Sequence, residues 1–201
     1  MKRIAMLFSL LILAVGLASA QTIAPYVEGT ISTAPSATTQ NYQVGGGLEV
    51  NTKHLLLDAD GIFSTANAVN GAGHTGTLTG QGYYKLGHLL AGGGATWVIN
   101  TNGFSASKFY NTARESANPF IGAGFQLGRL RTIATYQLPS AAEALPGQRQ
   151  FGVNSEFSLT KHLRIVVPVA VNSFTNSKLA STPGEQRVTL GQVGGGIKIV
   201  F

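Results

Sequence analysis

Cysteine is absent from the 201 residues, so no disulfide framework can hold this fold together. Charged residues make up only 11% of the chain, with eight acids against fourteen Lys and Arg. Past the first twenty residues there is no uninterrupted apolar run of the ~20 residues that a transmembrane helix needs. Amphipathic helical periodicity is missing too, which argues against a helical bundle. The bases are not interleaved with aromatics, so the positive balance does not describe a nucleic-acid surface. What is plentiful is glycine, 26 of 201, well above the usual share of about 7%. High glycine with short alternating apolar segments points to an all-β chain.

The first twenty residues form a separate unit. Lys2-Arg3 precedes an apolar run from Ile4 to Leu17 and then Ala18-Ser19-Ala20, the three parts of a secretory signal with cleavage before Gln21. The run is too short to be retained as a span. The remaining residues, 21–201, suit one domain. Loss of Lys2 and Arg3 leaves that domain still net positive.

Period-two alternation predicts about ten strands: Ile23–Ser32, Asn41–Asn51, Leu55–Ala66, Thr77–Leu86, Leu89–Asn100, Pro119–Leu127, Leu130–Leu138, Gln150–Leu159, Leu163–Phe174 and Val188–Phe201. They are joined alternately by polar loops of about 8 to 17 residues and turns of about 3, the asymmetry of a membrane-spanning barrel with an even strand count. TAPSATTQ and NAVNGAGHTG are two of the expected loops. Each strand is near the ~9–11 residues that cross a bilayer at a tilt. When each strand's faces are fixed by its apolar residues, nine charges take the opposite face: Glu28, Glu49, Asp58, Asp60, Lys85, Arg131, Glu156, Arg164 and Lys198. A Lys or Arg facing lipid at mid-depth costs about 2–4 kcal/mol, so these residues are expected in the lumen of a closed barrel. A soluble sandwich would alternate in the same way; the loop asymmetry and even count favour the barrel.

The last stretch, RVTLGQVGGGIKIVF, sets Val193, Ile197, Ile199 and Phe201 on one uncharged face, against Gln192 and Lys198. It resembles the C-terminal targeting strand of bacterial outer-membrane β-barrels. QVGGGLEVNTKHL, FIGAGFQLGRL and FGVNSEFSLTKHL are related repeats on the even-numbered strands. The pattern from Gln21 to Phe201 as a whole resembles the small barrels of the opacity-protein and outer-membrane-protein-A type, although ten strands exceed the eight of the commonest members. That resemblance implies an up-and-down barrel in the bacterial outer membrane with both chain ends periplasmic. Its implied partners are outer-membrane lipid and, through the terminal strand, the barrel-assembly machinery.

No catalytic, cofactor or metal set emerges. His54, His88 and His162 occupy three different short turns, and Lys53, Arg129 and Lys161 lie in the short turns as well, without an acid. They read as interfacial residues, and the bases could meet anionic headgroups. His74 has no carboxylate near it in the sequence. Asp58 and Asp60 share a face away from His74, so they do not form the acid–histidine set that a barrel hydrolase needs. The glycine triplets 45–47, 92–94 and 194–196 are followed by no helix or Lys-Ser/Thr pair and are read as sites of strand curvature. Lys198 and Glu28, on the closing strands, are expected near each other, in a lumen crossed by ion pairs and partly filled by Tyr26, Tyr83, Phe120 and Phe174. The function read from the sequence is therefore a non-enzymatic barrel with a structural, narrow-pore or surface-interaction role. A barrel enzyme acting on lipid or peptide, and a ligand-binding periplasmic sandwich, are the alternatives.

Overall fold

The computed structural model describes residues 22–34, 39–68, 71–102, 116–138, 149–175 and 187–201; the proposed leader, 1–20, lies outside them. Ten strands run β1 (Thr22–Ala34), β2 (Thr39–Asn51), β3 (Leu55–Ala68), β4 (Gly71–Leu86), β5 (Leu89–Asn102), β6 (Ser116–Leu127), β7 (Leu130–Gln137), β8 (Arg149–Ser158), β9 (Leu163–Thr175) and β10 (Arg187–Val200). Each pairs antiparallel with its neighbours, and β1 closes on β10 from Tyr26↔Val200 to Thr33↔Val193. The sheet has no free edge, so every strand's backbone polar groups can pair within the barrel. Water is not there to satisfy them in a bilayer. A closed ladder of this kind also excludes the two-sheet sandwich.

Two expected loops are shorter than the sequence pattern suggested. TAPSATTQ contributes to both strands, with Ala34 opposite Thr39. NAVNGAGHTG is mostly ladder, since Ala68 faces Gly71 and Asn67 faces Ala72, with a register shift between His74 and Thr75. Small and polar residues satisfy backbone hydrogen bonds as well as apolar ones do. The ladder therefore runs on where the apolar alternation stops. At the other end the connections are as short as expected, and Gly87 and Gly128 open their turns at φ 63° and 56°. That left-handed backbone suits glycine and matches the twist of a tight hairpin.

The outer face is apolar on all sides. Val27, Val44, Leu78, Trp97, Ile121, Phe151, Val167 and Ile197, drawn from eight strands, are each at least 40% exposed. Tyr84 and Phe157 lie toward the turns, while Tyr42, Trp97 and Phe151 lie toward the opposite end, an arrangement like the aromatic girdles of membrane barrels. Water-soluble monomers rarely expose contiguous apolar patches beyond a few hundred Å². A belt that surrounds the molecule is a lipid-facing surface. Among the described side chains of the strands, the charged residues keep to the inward parity, apart from exposed Arg149 at the far end of β8.

Inward glycines let so narrow a barrel close. A Cβ on Gly92 would run into the Gly82 carbonyl and come within 2.8 Å of Tyr83 Cα. Gly122, beside it in the ladder, would place a Cβ 2.9 Å from Tyr83 Cε1. The space those glycines leave is occupied by Tyr83, 1% exposed, which packs with Leu56, Leu90 and Ile133.

Candidate functional site

Six of the nine expected lumen charges meet at one level of the barrel. Glu49 on β2 and Asp58 on β3 are direct ladder partners, as are Arg164 on β9 and Lys198 on β10. Like charges directly opposite each other are unfavourable within a ladder. Here each like-charged pair is compensated by opposite charges on other strands. Arg131 on β7 supplies the central contact, with Nη2 donating to Glu49 Oε2 at 2.7 Å and to Glu156 Oε2 at 2.6 Å. Strands β2 and β7 lie half-way around the ring from each other, so the Arg131–Glu49 bond crosses the full width of the lumen.

The remaining members complete the set. Arg164 Nη1 donates to Glu49 Oε2 at 2.9 Å and to Glu156 Oε2 at 3.0 Å. Lys198 Nζ donates to Glu156 Oε1 at 3.3 Å, and lies 3.8 Å from Asp58 Oδ2 and 3.9 Å from Glu49 Oε2. The same ammonium sits 3.6 Å from the centre of the Tyr26 ring, whose hydroxyl donates to Asp58 Oδ1 at 2.8 Å. Three acids thus face three bases. Lys198 is 1% exposed, Glu49 4% and Glu156 6%, so no member of that trio is hydrated enough to stand alone, and an unpaired buried charge is costly.

The network separates two cavities. One of about 270 Å³ lies on the side away from the turns, with Glu28, Gln43, Asp60, Gln81, Ile133 and Pro168 in its wall. One of about 50 Å³ lies on the turn side, beside Asn51, Gln126, Arg129 and Ser158. Arg131 and Glu156 belong to both walls, which makes them part of the partition between the two.

Three expected lumen charges stay out of the network. Glu28 is the ladder partner of Lys198, yet the Lys198 ammonium reaches Glu156, Asp58 and Glu49 instead. Glu28 and Lys198 thus stand side by side on the closing strands as expected, while the ammonium is turned toward the three carboxylates and the Tyr26 ring. Asp60 faces the larger cavity, and its Oδ1 is buried without a hydrogen-bond partner. Lys85, nearer the turns, donates to Asn51 Oδ1 and, at 2.9 Å, to the Thr52 carbonyl. Phe120 lies on the inward parity of β6, whereas the Phe174 side chain lies outside the described residues.

The histidines stay apart. His54 stacks on Tyr84 with centroids 6.2 Å apart. His88 Nδ1 is 3.1 Å from the Gln126 carbonyl oxygen and His162 Nδ1 is 2.9 Å from that of Val200. Each braces a turn against the next hairpin. The side chain of His74 lies outside the described residues, and among those described no group of three His, Cys, Asp or Glu could hold a metal ion. Val193, Ile197, Ile199 and Phe201 form an outward stripe, 48%, 55%, 44% and 67% exposed. Sequence reading passed over the inward apolar residues Leu56, Leu90 and Val166, which are 2%, 3% and 1% exposed. Parity could have found them, since Leu56 shares a face with Asp58 and Asp60.

No protein-family model matches the chain, and no curated protein matches it. Among solved structures it is similar to a de novo designed transmembrane β-barrel at 15% identity, covering 89% of this chain and 95% of the other with a TM-score of 0.37. It is also similar to Neisserial surface protein A at 9% identity, covering 89% and 96%, TM-score 0.36. A third is the translocator domain of the autotransporter NalP from Neisseria meningitidis at 8% identity, covering 98% and 96%, TM-score 0.33. These likenesses are distant, and the architecture rests on the chain's own closed ladder and apolar belt. By those features it is a ten-stranded antiparallel transmembrane β-barrel.

Proposed function

We propose that this chain is a non-enzymatic barrel of the bacterial outer membrane, with its turn-bearing end in the periplasm, whose lumen is held shut by the charge network. It then serves as a structural or surface element, or as a narrow pore, and not as an open diffusion channel. The observation that carries this reading is the Arg131 guanidinium on β7, bonded across the lumen to Glu49 on β2 while it also bonds Glu156 beside it in the ladder. A solute would have to displace a buried, fully paired cation to pass, and breaking such a pair costs about 3–5 kcal/mol. A membrane of barrel-bearing vesicles should therefore swell no faster in small sugars than protein-free vesicles do. Rapid swelling would overturn the reading. Hydrolysis of lipid A or peptide by the pure protein would restore the enzymatic alternative.

The outward stripe of Val193, Ile197, Ile199 and Phe201 supports recognition of β10 by the barrel-assembly machinery. Removal of Phe201 should leave export intact and lower the amount of heat-modifiable barrel in the outer membrane. Unchanged assembly at every expression level would place the recognition signal elsewhere.

A further inference from the structure

The rim formed by the four short turns carries exposed Lys53, Arg129 and Lys161 on three turns and exposed His88 on the fourth. No acid shares it. Glu28, Glu49, Asp58, Asp60 and Glu156 are on the inward faces of their strands, and Glu115, Glu143 and Glu185 belong to the chain segments 103–115, 139–148 and 176–186. No described acidic side chain therefore neutralises the Lys and Arg within the rim. The turns alternate around the barrel, so the three cations are spread over its circumference and do not form one patch.

Immediately beside the turns, the outward residues are strongly apolar. Leu86 and Leu89 are each 60% exposed, Leu127 52% and Leu159 41%. Each of these residues sits within two positions of His88, Arg129 or Lys161 in the chain. A cation fixed at the edge of an apolar belt lies where acyl chains give way to headgroups. His88 and His162 have Nδ1 held by a backbone carbonyl, which braces the turns that present these groups.

We propose that this rim selects anionic phospholipid headgroups in the leaflet that surrounds it, with Lys53, Arg129 and Lys161 each contacting a lipid phosphate. The proposal rests on the transmembrane reading of the barrel, not on the closed lumen. A juxtamembrane Lys or Arg favours an anionic surface by roughly fivefold in association, and exposed charges of this kind are screened by salt.

The full chain would be refolded into phosphatidylcholine vesicles containing trace spin-labelled phosphatidylglycerol or spin-labelled phosphatidylcholine, with folding verified by heat-modifiable gel migration. The expected result is several-fold preferential association of phosphatidylglycerol with the protein, declining toward parity in about 1 M salt, where screening is nearly complete. The triple variant Lys53→Gln, Arg129→Gln, Lys161→Gln should lose that preference at low salt. Equal association of the two lipids with the unmodified protein would overturn the proposal, as would a preference that survives either the triple substitution or high salt. If the variant does not fold, the salt titration of the unmodified protein still decides. Conductance is a separate reading of the lumen, so failure here would leave the closed-lumen reading standing.

Discussion

Replacing Arg131 with Met removes the guanidinium that reaches across the lumen to Glu49 while bonding Glu156 beside it in the ladder. The guanidinium lies 2.7 Å from the first carboxylate and 2.6 Å from the second, and Arg131 is only 8% exposed. Removing one partner of a buried pair costs about 3–5 kcal/mol when the other charge is left uncompensated. Compensation here is partial. Arg164 still bonds both glutamates, and Lys198 still bonds Glu156. The expected loss is therefore near the lower end, about 3 kcal/mol. It can be read by urea unfolding in vesicles, with the fluorescence of Trp97, the single tryptophan and 48% exposed on the lipid face. A second arm adds Glu49→Gln. If the two residues act as a unit, the double variant should be more stable than the sum of the single effects predicts, by about 1–3 kcal/mol. A single-variant change within ~0.5 kcal/mol, typical of ordinary surface sites, together with simple additivity, would refute the argument that Arg131 neutralises Glu49 across the lumen as well as Glu156 beside it.

Other perturbations test separate parts of the account. Gly92→Val should prevent barrel closure, because its side chain meets the Gly82 carbonyl and Tyr83 Cα; a normal heat-modifiable band would contradict this. Tyr26→Phe removes the hydroxyl that binds Asp58 but keeps the ring beneath Lys198. It should cost about 1–3 kcal/mol, the usual penalty of leaving a buried acceptor unpaired, in the same urea assay. Glu28→Gln, at a residue outside the ion-pair set, should change stability by less than about 0.5 kcal/mol; a larger loss would mean that Glu28 has a structural partner.

Much of the barrel was legible because its physics is local. Alternation in β2, β3 and β8 assigns faces without knowledge of neighbours, and the short turns follow from pairs such as Gly128-Arg129 between apolar runs. The inward parity of Arg131 or Lys198 is likewise a property of its own strand. Partner choice is not local. Arg131 and Glu49 are separated by 82 positions, and whether they meet depends on the stagger accumulated around the closed sheet, which no single strand encodes. Glu28 and Lys198 are neighbours as the closing strands imply, but the bonds of Lys198 to Glu156 and toward Asp58 depend on that stagger. The ends of β3 and β4 were lost for a different reason. GAGHTG carries no apolar alternation, yet its backbone pairs as well as any other.

The most direct test of the closed lumen is a planar-bilayer recording of the unmodified barrel beside Lys198→Met and Glu28→Gln. Lys198 is buried within the network, and its loss leaves Asp58 without its cation; Glu28 lines the larger cavity without joining the ion pairs. The account predicts little or no steady current from the unmodified protein, an increase with Lys198→Met, and no comparable increase with Glu28→Gln. A large, stable open-channel current from the unmodified protein would contradict it.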